Sequence, residues 1–261
     1  MSFETADQSL LAAAFRRDGY VVLRGFADET EVDTLRTVAG EHLALGLAPV
    51  EFEADVGYPG SPSSRSAEGG STVRRLLGAA GRDPRLRSWA TSERAAGVLT
   101  ALLEADSVSV SQCHHNCIMT KHPGYSSATL WHQDNRYWSF DKEELVTMWL
   151  ALGDETRANG CLRVIPGSHV LDLDRGRLDA ELFLRPDLAI NKSLITTAVP
   201  VELRAGDVLF FHSRLFHAAG KNLSNDTKLS VVFTYHDVNN RPIAGTRSAQ
   251  FMSLPLGSAA L

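Results

Sequence analysis

Trp131-His132-Gln133-Asp134, and further on Phe211-His212-Ser213-Arg214-Leu215-Phe216-His217, are the stretches on which the reading of this chain turns. His132, Asp134 and His217 offer two imidazoles and one carboxylate. That donor set can hold an ion such as Fe(II) on one face and leave the other positions open. On a strand, residues i and i+2 point to the same side, so His132 and Asp134 can grip one ion while Gln133 faces away. The third donor comes from a different strand, so its distance along the chain is unconstrained. Alone, a His-x-Asp pair is a weak signal and fits a surface His and Asp in a turn equally well.

The surrounding periodicity places both stretches in a β-rich region. Val108–Lys121, Glu144–Leu152, Leu162–Ile165, Ala198–Leu203, Asp207–Phe211 and Leu229–Tyr235 are apolar, β-branched runs separated by turn residues. Before them, residues 6–17 and 30–44 carry helical spacing, the second behind Asp28 as a cap. Residues 83–104 read as two helical pieces broken near Thr91, and Tyr20–Leu23 as a short strand. The Gly-, Pro- and Ser-rich stretch 52–72 reads as a long loop. Helices followed by short strands predict a mainly β fold with flanking helices, a double-stranded β-helix or jelly roll. The expectation is one domain over 1–261, with a helical part to about 105 and a jelly-roll core over about 106–240.

Composition narrows the function. With 261 residues, 44% hydrophobic and 22% charged, the chain suits a globular protein. A net charge of −5 argues against a general nucleic-acid binder. No apolar run is long enough to span a bilayer, and the N-terminus lacks signal-peptide character. Cys113, Cys117 and Cys161 are too few for a disulfide framework and read as buried thiols of a cytoplasmic protein.

Three ordered blocks carry a resemblance. They are Trp131–Asp141; Met148-Trp149-Leu150-Ala151-Leu152 followed by Asn159-Gly160-Cys161-Leu162-Arg163-Val164-Ile165-Pro166-Gly167-Ser168-His169; and Ala205–His212 leading to His217 and Asn222-Leu223-Ser224. In order and spacing the chain resembles the phytanoyl-CoA dioxygenase family of Fe(II)/2-oxoglutarate-dependent oxygenases. The resemblance implies Fe(II) on His132, Asp134 and His217, and 2-oxoglutarate as co-substrate. It implies Lys228 and Ser230 as the clamp for the co-substrate's distal carboxylate, with Trp149 packed beside it and His115 as a further contact. The family usually has Arg where this chain has Lys228. Lys keeps the charge but loses the bidentate fork, so Arg214 or Arg241 could take the role instead. Retention of Asp134 implies hydroxylation, because halogenating relatives replace that carboxylate.

For the substrate, Arg74, Arg75, Lys121 and Arg136 are expected to line the mouth of the barrel and to favour an anionic, hydroxyl-rich molecule. Alternation along the strand sends His114 and His115 opposite ways, so at most one faces the site. Ser71–Leu77, His114–Lys121 and Arg136–Phe140 are similar to a bacterial branch that hydroxylates the Kdo sugar of lipopolysaccharide. That likeness makes a small molecule or glycolipid the expected partner. An acyl-CoA hydroxylase, a non-oxygenase metal enzyme on the same scaffold, and a silent binding module are the alternatives.

Overall fold

A computed structural model describes residues 5–257. Its elements in chain order are α1 (Thr5–Asp18), β1 (Tyr20–Leu23), α2 (Glu29–Ala44), β2 (Val50–Phe52), β3 (Val73–Leu77), α3 (Ala79–Arg82), α4 (Pro84–Ala90) and α5 (Glu93–Leu103). There follow β4 (Val108–Lys121), β5 (Thr129–His132), β6 (Leu145–Ala151), β7 (Leu162–Val164), α6 (Ala189–Thr196), β8 (Val199–Pro200), β9 (Val208–His212), β10 (His217–Ala219), β11 (Lys228–Asp237) and β12 (Leu254–Pro255). One sheet runs β1-β9-β6-β11-β4-β3-β2, with β12 also on β4; the other runs β5-β10-β7-β8. This is the expected jelly-roll arrangement. The helical N-terminal part also supplies β1, β2 and β3 to the large sheet.

Local chemistry sets the helix starts. Asp28 accepts from the Glu31 amide while the Glu31 side chain reaches back to the Asp28 amide, a capping box for α2. Asp83 and Ser92 cap α4 and α5 on either side of the break at Thr91. Gly206 closes the turn before β9 at φ +88°, where a Cβ would lie 2.5 Å from the Ala27 carbonyl oxygen.

Alternation along β11 divides the interior in two. Val231, Phe233 and Tyr235 belong to the cluster that buries Phe15, Leu35, Trp89 and Leu99 of the helices. Val232 packs with Trp149, Leu162, Val164 and Leu209 between the two sheets. Lys228 and Ser230 share the inward parity of Val232, so the period-2 pattern sends two polar side chains between the sheets. Among the described residues, no helix is long and apolar enough to cross a membrane.

One register irregularity reshapes the site. On β11, Phe233 and Thr234 are adjacent, yet their β4 partners are Asn116 and Ser111. Residues 112–115 are therefore extra, and His114 sits at φ +60°. The bulge overturns simple alternation here. The rings of both His114 and His115 pack against Tyr137 and Trp138, at centroid distances of 5.1–6.1 Å.

Candidate active site

His132 closes β5 and His217 opens β10, directly opposite each other in register. Their ring centroids are 4.3 Å apart. His132 Nδ1 lies 2.8 Å from the Leu130 carbonyl oxygen, and His217 Nδ1 lies 3.0 Å from that of Leu215. A carbonyl only accepts, so each Nδ1 carries a proton, which leaves each Nε2 as the nitrogen able to bind a metal. Both Nε2 atoms converge to 3.5 Å from Asp134 Oδ1. Asp134 is not a strand residue; it begins the 3-10 turn Asp134–Tyr137, anchored where the Asn135 amide donates to Ser213 O.

Asp134 is 0% exposed, and neither carboxylate oxygen has a hydrogen-bond partner. Burial works to raise its pKa, but His115, His217 and His132 outweigh this and hold the carboxyl below the usual range. Burial is also the main reason that His217 and His115 are pushed down to about 4, so both rings are neutral near pH 7. A buried carboxylate left without donors, facing two lone pairs, fits a divalent cation. One donor atom from each of His132, Asp134 and His217 lies within 4.8 Å of the others. His115 stands beside them, with Nδ1 3.4 Å from Asp134 Oδ2 and no hydrogen-bond partner.

These residues open onto an internal cavity of about 50 Å³, whose far wall includes Trp149 and Lys228. Lys228, Ser230 and Trp149, the residues expected to receive the co-substrate, are brought together, but around a residue that sequence reasoning missed. Glu155, 0% exposed, accepts from Lys228 Nζ at 2.8 Å, Ser230 Oγ at 2.6 Å and Trp149 Nε1 at 2.9 Å. The available signal was the lysine itself, since a changed cation invites a search for a changed counter-ion. Arg214 and Arg241, the other candidates, do not line the cavity. Arg214 instead reaches Leu171 O and Glu143.

Arg74, Arg75 and Lys121 do face the cavity, but they form its inner wall rather than its rim. Arg74 is buried against Glu53 at 3.3 Å, Ser127 Oγ at 2.6 Å and Thr129 Oγ1 at 3.2 Å. Arg75 lies 3.4 Å from Glu51. Lys121 Nζ donates to Ser127 O at 2.8 Å and Gly220 O at 2.7 Å. Burial, with Arg74 and Lys228 nearby, lowers its pKa to about 7. Arg136 is not part of that wall; its guanidinium lies 4.1 Å from the Phe183 ring centroid and 5.2 Å from that of Tyr137.

A two-sheet jelly roll that directs two histidines and an aspartate into one cavity is the architecture of the Fe(II)/2-oxoglutarate-dependent oxygenases. Within that class the chain belongs to the phytanoyl-CoA dioxygenase (PhyH) family, whose model matches residues 15–230. It is 36% identical over 104 residues to phytanoyl-CoA dioxygenase 1 of Oryza sativa subsp. japonica, a match covering 40% of this chain and 37% of that protein. It is 28% identical over 250 residues to ectoine dioxygenase of Sphingopyxis alaskensis, covering 88% of this chain and 76% of that protein. The crystal structure of the epimerase SnoN in complex with Fe3+, alpha ketoglutarate and nogalamycin RO superposes with a TM-score of 0.73 at 26% identity, covering 98% of this chain and 97% of that one. The match to the rice protein thus spans well under half of that protein's length.

Proposed function

We propose that this chain is an Fe(II)- and 2-oxoglutarate-dependent hydroxylase of a polar, anionic small molecule or glycolipid, with a Kdo sugar as the first candidate. The observation that carries the oxygenase reading is the pair of partnerless Asp134 oxygens facing two imidazoles whose tautomers are set by backbone carbonyls. His132, Asp134 and His217 would hold the iron. When bound, it supplies dioxygen activation coupled to conversion of 2-oxoglutarate to succinate and CO2.

The chain's own residues prepare that chemistry. The Leu130 and Leu215 carbonyls orient the two rings, so no proton has to leave a ligating nitrogen. Asp134 supplies the negative charge. Trp149, Leu162 and Phe211 line the cavity and exclude water, which strengthens every polar contact inside it. Arg74, Arg75 and Lys121 support an anionic substrate or co-substrate, and Arg136 over Phe183 and Tyr137 offers a further cation beyond the inner wall. The free, buried Cys113, Cys117 and Cys161 suit a reducing, cytoplasmic location.

The test is succinate release, with product analysis, against phytanoyl-CoA and other acyl-CoAs, ectoine, amino acids and Kdo-containing glycolipids. A hydroxylated sugar acid is the expected product. Hydroxylation of a fatty acyl thioester with none on sugar acids would overturn the substrate class and leave the oxygenase reading standing.

A further inference from the structure

Lys228 and Trp149 line the cavity, and both are bonded to a buried carboxylate of the protein's own that is not itself in the lining. Glu155 follows β6, and its main chain is fastened to Leu203 by two hydrogen bonds, N to O at 2.8 Å and O from N at 3.0 Å. Its side chain takes one bond from each of Lys228, Ser230 and Trp149. Lys228 and Ser230 are the residues expected to clamp the distal carboxylate of a 2-oxo diacid, with Trp149 packed beside it.

A donor count shows what remains. A serine hydroxyl has one hydrogen to donate and an indole has one. Those of Ser230 and Trp149 are both spent on Glu155 Oε1. Lys228 keeps two of its three, but its charge is already balanced by Glu155 Oε2 at 2.8 Å. An incoming carboxylate at this wall meets a pair of no net charge, with a second carboxylate directly behind it. Most of the charge-assisted gain of binding a carboxylate is therefore absent.

We propose that Glu155 is a specificity-determining residue for the co-substrate. By neutralising Lys228 and occupying Ser230 and Trp149, it relaxes selection for a second carboxylate. The site then accepts 2-oxo monoacids on nearly the same terms as 2-oxoglutarate. This inference rests on the oxygenase reading above and concerns only the end of the co-substrate remote from the metal ligands.

The test is equilibrium binding, independent of turnover. Calorimetry on the full chain loaded with Mn(II), without oxygen, compares 2-oxoglutarate with 2-oxopentanoate, which has the same carbon chain ending in a methyl group. The wild-type protein is expected to bind the two within about 10-fold of each other, the lower end of what one charge-assisted bond contributes. Glu155→Gln, which keeps the shape and removes the charge, is expected to tighten 2-oxoglutarate at least ~10-fold and leave 2-oxopentanoate unchanged. A larger wild-type preference for 2-oxoglutarate overturns the proposal, as does a Glu155→Gln protein whose ratio of affinities is unaltered. The wild-type ratio decides the matter even if the variant fails to fold. If Mn(II) binds and neither acid does, the oxygenase reading falls together with this one; a strong preference for the diacid sinks this one alone.

Discussion

Asp134, which lines the cavity, and Glu155, which holds the cavity residues Lys228 and Trp149, are both fully buried carboxylates, and the fold treats them in opposite ways. Among the described residues Asp134 has no hydrogen-bond donor, and His115, His132 and His217 each come within 3.4–3.5 Å of it. Glu155 has three donors and a lysine counter-ion. An uncompensated buried charge is costly and persists only where something supplies the missing partner. A compensated one is part of the scaffold. The contrast separates a corner whose donor set suits an ion from a corner whose charge is balanced within the protein.

The largest effect should come from the uncompensated corner. Asp134→Ala or His132→Ala is expected to abolish turnover. In wild type, a metal ion at 100-fold over its Kd should raise stability by about 2.7 kcal/mol, and that gain should vanish in either variant. Full activity in chelator-treated, iron-free protein would break the comparison at its root.

Next comes the compensated corner. Lys228→Ala strands Glu155 without its counter-ion and should lower unfolding free energy by about 3–5 kcal/mol in denaturant titrations. Replacing both partners, Lys228→Met with Glu155→Gln, should recover much of that loss. A Lys228→Ala protein of unchanged stability would mean that Glu155 needs no partner.

Lys121 sharpens the picture through pH. Its folded pKa of about 7 lies below its ordinary value of 10.5. Between the two, the unfolded chain binds more protons than the folded one, so stability rises with pH across that window. Below pH 7 the full penalty of a buried charge remains. The rise is expected to be on the order of 5 kcal/mol. Lys121→Met should flatten it, and a slope that survives the substitution would assign the titration elsewhere.

The smallest effect is expected at an exposed carboxylate. Asp28→Ala removes the α2 cap and should cost only about 1 kcal/mol, with no change in metal or 2-oxo acid binding. A larger loss would show that the cap supports the sheet through α2 rather than the helix end alone.

Much of this was legible along the chain. Asp28 and Thr91 marked helix boundaries, because capping and breaking act within a few residues. The apolar runs marked β4, β6, β9 and β11, since alternation is a local property of strands. Short strands received no bounds: β5 and β10, which carry His132 and His217, are only four and three residues long. The strand β3 hid behind Arg74 and Arg75, whose charges read as lining the mouth of the barrel and not as part of a sheet, where Glu53 and Glu51 come alongside.

By itself, then, the sequence indicated the family, the jelly-roll class and the His132, Asp134, His217 donor set, because residue type and the order of the motifs along the chain suffice for these, although Asp134 reaches its place from a 3-10 turn and not by strand alternation. Only the tertiary structure decided that the bulge over residues 112–115 brings both His114 and His115 against Tyr137 and Trp138. It alone decided that Arg74, Arg75 and Lys121 form the inner wall, and that Glu155 closes on Lys228. Ion pairing and desolvation depend on distance in space, and Glu155 and Lys228 meet although they are 73 positions apart in the sequence.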